Sequence, residues 1–316
     1  MSELKICFIG LGSIGKRHLS NLTSILSKRC ISYEIHALRT TLINLPEDTE
    51  KSITKVFTSY DELDIDYDIA FVTNPTIKHY ETLQSIIPMA KHIFIEKPVF
   101  MDTKKPLSSL PLKEDSVYYV AAPLRYNSVF PAVEKIVRAN KIYSVRAICS
   151  SYLPEWRKNT DYRKNYSARN DMGGGVTLDL IHEWDYLKHL FGTPDRISHI
   201  YGHKSDLEID SDDIAVYVAE YPDKIIELHL DYFGRRSRRE LELLTKDGTY
   251  IADFVNQTVI FDDGQSIQEI HVMKNADPYV EEMNCFLDLC LGDAKENPNT
   301  IQSAFETLKI SLGELE

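Results

Sequence analysis

The stretch that decides the fold is Lys5-Ile6-Cys7-Phe8-Ile9-Gly10-Leu11-Gly12-Ser13-Ile14-Gly15, KICFIGLGSIG over residues 5–15. Its first five residues form a short apolar run of the buried-strand type. Three glycines follow at G-x-G-x-x-G spacing, and Lys16 to Leu22 then shows a helical pattern. The glycine spacing alone is a weak signal; a strand before it and a helix after it make it informative. Gly10 permits the tight turn, Gly12 lets backbone approach a pyrophosphate, and Gly15 lets the helix pack on the strand. The loop residues Ser13 and Ile14 complete the cradle, because a helix N-terminus faces negative charge. The stretch therefore predicts a doubly wound α/β domain that binds a dinucleotide.

Working outward, Tyr33 to Leu38 reads as the second strand and ends in Arg39-Thr40-Thr41. A site built for a free ribose 2′-OH carries an acid near this point. Here a guanidinium and hydroxyls stand instead, which suits a 2′-phosphate. Arg39 and Thr40 thus point to NADP, with NAD as the alternative. The run Tyr67 to Val72 is a strand ending in Thr73-Asn74-Pro75, and the helix that follows carries His79. Lys91 to Ile95 is another, ending in Glu96-Lys97-Pro98. Val117 to Ala121 is a further one, ending in Pro123-Leu124-Arg125-Tyr126-Asn127. Open parallel sheets bind ligands at the carboxyl ends of their strands. Thr73, Asn74, Pro75, His79, Glu96, Lys97 and Arg125 are therefore candidate cofactor contacts, and Tyr126 and Asn127 candidate substrate contacts. The pattern divides the chain into a dinucleotide domain over 1–123 and a second domain over 124–316.

That second domain holds GGGVTLDLIHEWDYL, residues 173–187, in which glycines lead into Asp179 and His182. Alone, the pattern fits a capped helix with a structural histidine. The segment before it concentrates Trp156, Arg157, Tyr162, Arg163, Tyr166 and Arg169. It reads either as a packed loop or as a lid over a polar, anionic substrate. Beyond it, Asp213–Tyr221, Lys224–Phe233, Arg238–Thr245, Thr249–Phe254 and Thr258–Phe261 are β-rich runs broken by turn residues. Tyr279–Leu291 and Thr300–Leu315 show helical periodicity.

Composition narrows the function. The 316 residues carry a net charge of −12, which opposes nonspecific binding to nucleic acid. The basic run Arg235, Arg236, Arg238 and Arg239 is short and reads as a solvated or oligomer-facing strand edge. The 5 cysteines show no metal or CxxC spacing and read as reduced core thiols. With no signal-peptide pattern and no long apolar run, they predict a cytoplasmic protein without a membrane span. No metal is expected: His182-Glu183 begins an HExxH pattern, but Tyr186 stands where the second histidine is needed.

GLGSIG, TNPTIKH, EKP and GGGVTLDLIHEWD together resemble the Gfo/Idh/MocA oxidoreductases over essentially the whole chain. The run YLPEWRKNTDYRKNYSARNDMGGG is similar to a subgroup of sugar-type dehydrogenases within that family. The resemblance implies an α/β protein: an N-terminal Rossmann domain and a C-terminal α+β domain with a large open, mostly antiparallel sheet. One face of that sheet often makes the oligomer contact, so a homodimer or homotetramer is expected. It also implies NADP- or NAD-dependent hydride transfer at a hydroxyl or keto carbon of a sugar, cyclitol or nucleotide-linked sugar. Lys97, Asp179 and His182 match the family's catalytic residues. An imidazole can take the hydroxyl proton, a carboxylate can hold its tautomer, and an ammonium can stabilise a developing alkoxide. Two other readings of the same fold are a non-catalytic dinucleotide-binding regulator and an NAD-dependent glycoside hydrolase. One feature departs from the family: its histidine usually stands four residues after the aspartate, whereas here that position is Glu183 and the histidine is one residue earlier. Either Asp179 or Glu183 is then the carboxylate that orients His182.

Overall fold

A computed structural model of the chain describes residues 3–40, 45–63, 66–274 and 277–315. Thr41 lies outside the described residues. Six short apolar runs form strands β1 (Leu4–Ile9), β2 (Tyr33–Leu38), β3 (Lys55–Phe57), β4 (Tyr67–Val72), β5 (Ala90–Ile95) and β6 (Tyr118–Val120). They pair in parallel in the order β3-β2-β1-β4-β5-β6. Parallel strands covered on both faces read as continuous apolar runs, which is why Ile6, Cys7, Phe8 and Ile9 are all buried. The strand order reverses at β1, so the carboxyl ends of β1 and β4 form the topological switch point. Helices α1 (Ser13–Lys28), α2 (Glu47–Lys51) and α3 (His79–Ile86) connect the strands. Leu19, Leu22 and Leu26 of α1 enter one apolar core with Phe71 and Phe94, and Phe8 stacks on Phe71 at 4.4 Å between ring centroids.

The second unit contains α4 (Phe130–Ala139), β7 (Ser144–Tyr152), α5 (Val176–Asp179) and α6 (His182–Phe191). Strands β8 (Arg196–Gly202), β9 (Ile214–Glu220), β10 (Ile225–Asp231), β11 (Phe233–Leu244), β12 (Thr249–Asp253), β13 (Thr258–Asp262) and β14 (Ile267–Ile270) follow. The eight strands β7 to β14 form one sheet in the order β14-β13-β12-β11-β7-β10-β9-β8. Only the β7–β10 pair is parallel. Alternation divides its faces. Val145, Ala147, Tyr217, Ala219, Ile226, Leu228, Leu241 and Leu243 point into a core shared with Trp184, Tyr186 and Leu187 of α6. The opposite face carries Arg146, with Glu227 at 3.6 Å and Glu242 at 3.8 Å, beside exposed Val216, Val218 and Ile225. β11 is an interior strand, not the edge expected from its arginines. Arg239 points inward to Glu183, Arg238 pairs with Glu240, and Arg235 stacks over the Tyr152 ring at 3.7 Å.

The chain closes with α7 (Pro278–Leu291) and α8 (Ile301–Ser311). The compact units are Met1–Ala121 with Tyr279–Phe305, and Ala122–Pro278 with Glu306–Glu316. Placing all of 124–316 in the second domain therefore needs correcting for residues 279–305. Met283, Phe286 and Leu287 of α7 belong to the core of the first unit, and Phe286 packs edge-on against Phe71 at 5.7 Å and Phe94 at 5.3 Å. Burying Phe286 alone contributes about 1.5–3 kcal/mol. Asn299 extends the same attachment: its backbone carbonyl accepts from Val120 N, and its side-chain amide donates to the Val120 carbonyl at 2.8 Å. The expectation of core thiols also holds only in part, since Cys7 and Cys149 are buried and Cys30 is exposed.

Candidate active site

In the first unit, Gly10 to Gly15 bridge β1 and α1. A Cβ on Gly15 would lie 2.7 Å from both the Gly10 carbonyl and the Thr73 hydroxyl, so this glycine is required by internal packing. A Cβ on Gly12 would meet no atom within 4 Å. Gly12 is also the N-cap of the 16-residue α1, with no side-chain cap and no acid in the first turn. A 16-residue helix leaves a set of unpaired N–H groups and a positive dipole end there, with open space above them. That arrangement fits a pyrophosphate.

Thr73 closes the loop from the β4 side by donating from its hydroxyl to the Gly10 carbonyl at 2.6 Å. Asn74 donates to the Thr82 hydroxyl at 2.7 Å, and Pro75 is exposed. Arg39 follows β2, its backbone N–H bound to the Phe57 carbonyl, with Thr40 exposed beside it.

Two residues expected to touch cofactor have other partners. The buried His79 ring spans two loops: Nε2 lies 2.9 Å from the Asn74 carbonyl, and Nδ1 lies 3.1 Å from the Pro98 carbonyl. Burial holds its pKa below the ordinary value against the pull of these contacts. Glu96 is buried against His18 Nε2 at 2.5 Å and accepts the Lys97 backbone N–H at 3.1 Å. Burial pushes its carboxyl up, but His18, Lys97 and His79 together leave it below the ordinary value. His18 was missed in the sequence; its only signal is its place three residues after Gly15. Lys97 itself is half-buried.

In the second unit, Asp179 ends α5 and His182 begins α6, with Leu180 and Ile181 between. The two residues belong to consecutive short helices and not to one helix face. Asp179 Oδ2 accepts from the Ser167 hydroxyl at 2.6 Å and the Tyr232 hydroxyl at 3.1 Å. Neither donor is marked by a motif in the sequence. Glu183 turns the other way. Its side chain has no exposure, and Oε1 accepts from Arg239 Nε at 2.8 Å. Burial raises the Glu183 pKa and Arg239 opposes that rise. Cys149 sits on the same guanidinium at 3.3 Å, and burial pushes its thiol up to about 12.

Gly174 and Gly175, just before Asp179, serve this local packing. A Cβ on Gly174 would press on the carbonyls of Tyr166, Ser167 and Arg169, and one on Gly175, at φ +102, would collide with the Asp212 carboxylate. Asp212 in turn accepts from the Thr177 backbone N–H at 2.9 Å and its hydroxyl at 2.7 Å, capping α5.

Several expected ligand contacts are committed elsewhere in this unit. Arg125 makes a two-pronged pair with Asp185, both bonds at 2.8 Å, and its side chain is 7% exposed. Asn127 accepts the Val129 N–H at 3.1 Å and donates to the Phe254 carbonyl, so its side chain is committed to the turn that precedes α4. Arg163 pairs with Asp161 and Glu208, and Arg169 with Asp171, so two of the guanidiniums read as part of an anionic-substrate lid already have carboxylate partners. The Tyr162 hydroxyl accepts the Glu208 N–H at 3.1 Å. Trp156 is 38% exposed, and its ring meets Tyr232 edge-on at 5.2 Å, one residue removed from Asp179. Arg157 is exposed and Tyr126 half-buried. Among the described residues no group of His, Cys, Asp or Glu is arranged to hold a metal.

Two family models match the chain: the oxidoreductase family with an NAD-binding Rossmann fold over residues 4–109, and the GFO/IDH/MocA C-terminal domain over residues 130–251. The chain belongs to the Gfo/Idh/MocA oxidoreductases. Among curated relatives of the family, it is 27% identical over 201 residues to the uncharacterized oxidoreductase YrbE of Bacillus subtilis, covering 61% of this chain and 54% of that one. The match thus spans about half the length of that relative. It is 24% identical over 308 residues to the myo-inositol 2-dehydrogenase of Thermotoga maritima, covering 90% of this chain and 87% of the other. Among solved structures, levoglucosan dehydrogenase in complex with NADH and levoglucosan superimposes with a TM-score of 0.79 at 14% identity, covering 99% of this chain and 96% of that one.

Proposed function

We propose that the protein is an NADP-preferring oxidoreductase acting on a hydroxyl or keto carbon of a sugar, a cyclitol or a nucleotide-linked sugar. The observation that carries the chemistry is the division of labour around His182. Glu183 is consumed by Arg239, so Asp179, held by Ser167 and Tyr232, is the carboxylate left to orient the imidazole. In this reading His182 takes the proton of the reacting hydroxyl, and Asp179 fixes its tautomer and stabilises its charged form. Lys97 matches the family's lysine, whose ammonium stabilises negative charge on a reacting oxygen. When bound, the nicotinamide supplies the hydride chemistry. Gly10, Gly12, Ser13, Ile14 and Gly15 would hold the pyrophosphate, Arg39 and Thr40 the 2′-phosphate, and Thr73, Asn74 and Pro75 the neighbouring strand end. Trp156 offers an exposed aromatic face beside Asp179 for a polyhydroxylated ring.

The relatives support the substrate class, since the names of two of them refer to a cyclitol and an anhydrosugar. The sheet face bearing Arg146, Val216, Val218 and Ile225 supports a homodimer or homotetramer. The cytoplasm is the proposed compartment: all 5 cysteines are free thiols, and no described helix is long and apolar enough to cross a membrane.

The test is direct. The protein is incubated with NADP or NAD and a panel of myo-inositol, aldoses and UDP-sugars, and reduced nicotinamide is followed at its absorbance band. Turnover with at least one panel member is the expected result. Cofactor bound tightly, with no turnover across the panel in either direction, would count for a sensor.

A further inference from the structure

Two imidazoles bind three strand-end segments of the first unit together, and only one of them is explained by packing. His79 spans the Asn74 and Pro98 carbonyls. His18 does something different. It lies on α1, three residues past the last glycine of the cradle, with no exposed surface. Its Nε2 meets Glu96 Oε1 at 2.5 Å, while its Nδ1 has no hydrogen-bond partner. The rest of the ring lies against hydrocarbon, edge-on to Phe94 at 4.8 Å. The sole polar partner therefore fixes the proton on Nε2, which donates to the carboxylate. A leucine or phenylalanine would fill this space without burying a bare ring nitrogen or requiring a buried carboxylate opposite. The pair adds position rather than packing. Its far side shows what is positioned: Glu96 Oε2 accepts the backbone N–H of Lys97 at 3.1 Å.

We propose that His18 and Glu96 are positioning residues that brace the root of Lys97 to the phosphate-cradle helix. The carboxylate receives one hydrogen from each side, from the His18 ring and from the Lys97 amide. Rotation of the peptide that carries Lys97 would break the second bond at a partly buried position, next to the fully buried His18 end of the carboxylate. Glu96 thus acts through Lys97 and not on cofactor. The catalytic consequence rests on the role given to Lys97 above; the brace itself does not.

The experiment reads Lys97 directly. Lysines are reductively methylated with carbon-13 formaldehyde, which keeps their charge, and the Lys97 signal is assigned by its loss in Lys97→Arg. Spectra are compared for the wild type, His18→Leu, His18→Gln and Glu96→Gln, without cofactor and with NADPH. The glutamine at 18 keeps an N–H for Glu96; the leucine does not. The expected result is a displaced Lys97 signal in His18→Leu and Glu96→Gln and a signal near its wild-type position in His18→Gln. An unmoved Lys97 signal in every folded variant overturns the proposal, even if melting temperature falls, because a purely structural pair would lower stability alone. Should His18→Leu fail to fold, Glu96→Gln decides. Failure of NADPH and NADH to bind the wild type would remove the dinucleotide reading and leave the cofactor-free comparison intact.

Discussion

An added Cβ at Gly12 meets nothing within 4 Å, whereas at Gly174 it meets three backbone carbonyls and at Gly175 the Asp212 carboxylate. Both loops precede a helix, and both look in sequence like backbone cleared for a ligand. Their surroundings separate them. The space at Gly12 lies at the uncapped end of a long helix, where a ligand can complete the N–H groups. The space at Gly174 and Gly175 is already filled by the chain's own turns at 166–169 and by Asp212. Freedom at Gly12 is for a partner, while Gly10 and Gly15 of the same loop are held by Asn74 and Thr73. Freedom in the second loop lets the backbone fold tightly enough to present Asp179 between Ser167 and Tyr232. Glycines before a titratable pair therefore do not by themselves mean close approach of substrate.

The largest effects should appear where the second loop delivers its side chains. His182→Ala is expected to lower turnover by about 10²–10⁴, the range for a positioned acid–base group, and Lys97→Ala by at least as much. Nicotinamide affinity in His182→Ala should stay near that of the wild type. Steady-state rates and calorimetry on the same samples check both halves. Turnover close to wild type in both variants would return the Asp179–His182 pair to a structural role.

Next in size is Glu183→Gln, which separates the two carboxylates flanking His182. It leaves the half-buried Arg239 without its counter-charge, and the loss should approach the low end of the about 3–5 kcal/mol that removing one partner of a buried pair costs. Denaturant unfolding should show that loss. Asp179→Asn, by contrast, should lower turnover with a smaller change in stability. The reverse pattern would make Glu183 the orienting group.

Gly175→Ala sharpens the contrast between the loops. The forced contact with Asp212 costs about 1–3 kcal/mol as overpacking, and a backbone at φ +102 and ψ 153, which is close to glycine-only, adds about 1–3 kcal/mol for a residue with a side chain. A thermal melt unchanged from wild type would mean that Asp212 moves aside freely and that this glycine is not required by packing.

These predictions follow lines that the sequence made only partly visible. The parallel sheet was legible because its strands are buried on both faces and read as apolar runs, as in Ile69–Val72. The central strands of the second sheet were legible through alternation, as in β9, where Ala215, Tyr217 and Ala219 face inward. Strands β7, β8 and β14 were not separated out: charged and polar residues interrupt Ser144–Tyr152 and Arg196–Gly202, and β14 is only four residues long. Helical periodicity announced α7 but could not name its partner, since an apolar stripe fits any core. The same limit explains Arg125, Asn127 and Arg163. Arg125 and Asn127 looked available because their partners, Asp185 and the Phe254 carbonyl, lie 60 and 127 residues further along the chain, as does Glu208, the more distant of the two partners of Arg163, 45 residues on. A partner that far away leaves no local mark. Candidate site residues defined by backbone, such as Gly12, were easier to read than those defined by what a side chain touches.

Smaller still is Arg39→Ala, which addresses cofactor choice on the ligand side of the comparison. Removing a charge-assisted contact to a 2′-phosphate should weaken NADP by about 1.5–3 kcal/mol and leave NAD nearly unaffected. Calorimetry with both cofactors reads the difference. Wild-type protein that binds NAD as tightly as NADP refutes the preference outright.

The smallest expected change, and the one that tests the opening contrast most closely, is Gly12→Ala. Its backbone has φ −68, so a side chain introduces no left-handed strain, and nothing lies within 4 Å for it to strike. An alanine N-cap is poorer than glycine by about 1 kcal/mol or less. Stability should therefore fall far less than in Gly175→Ala, although both variants add one methyl group to a glycine loop. Binding should respond in the opposite order. The methyl group would occupy the space above the α1 N–H groups, and NADPH affinity should drop about tenfold, ~1.4 kcal/mol. Gly175→Ala, once folded, should bind NADPH as the wild type does, because its added methyl lies against Asp212. Melting curves and NADPH titrations on the two variants yield four numbers. A Gly12→Ala protein that binds NADPH normally, or that melts as early as Gly175→Ala, would show that the space at Gly12 is not kept open for a ligand.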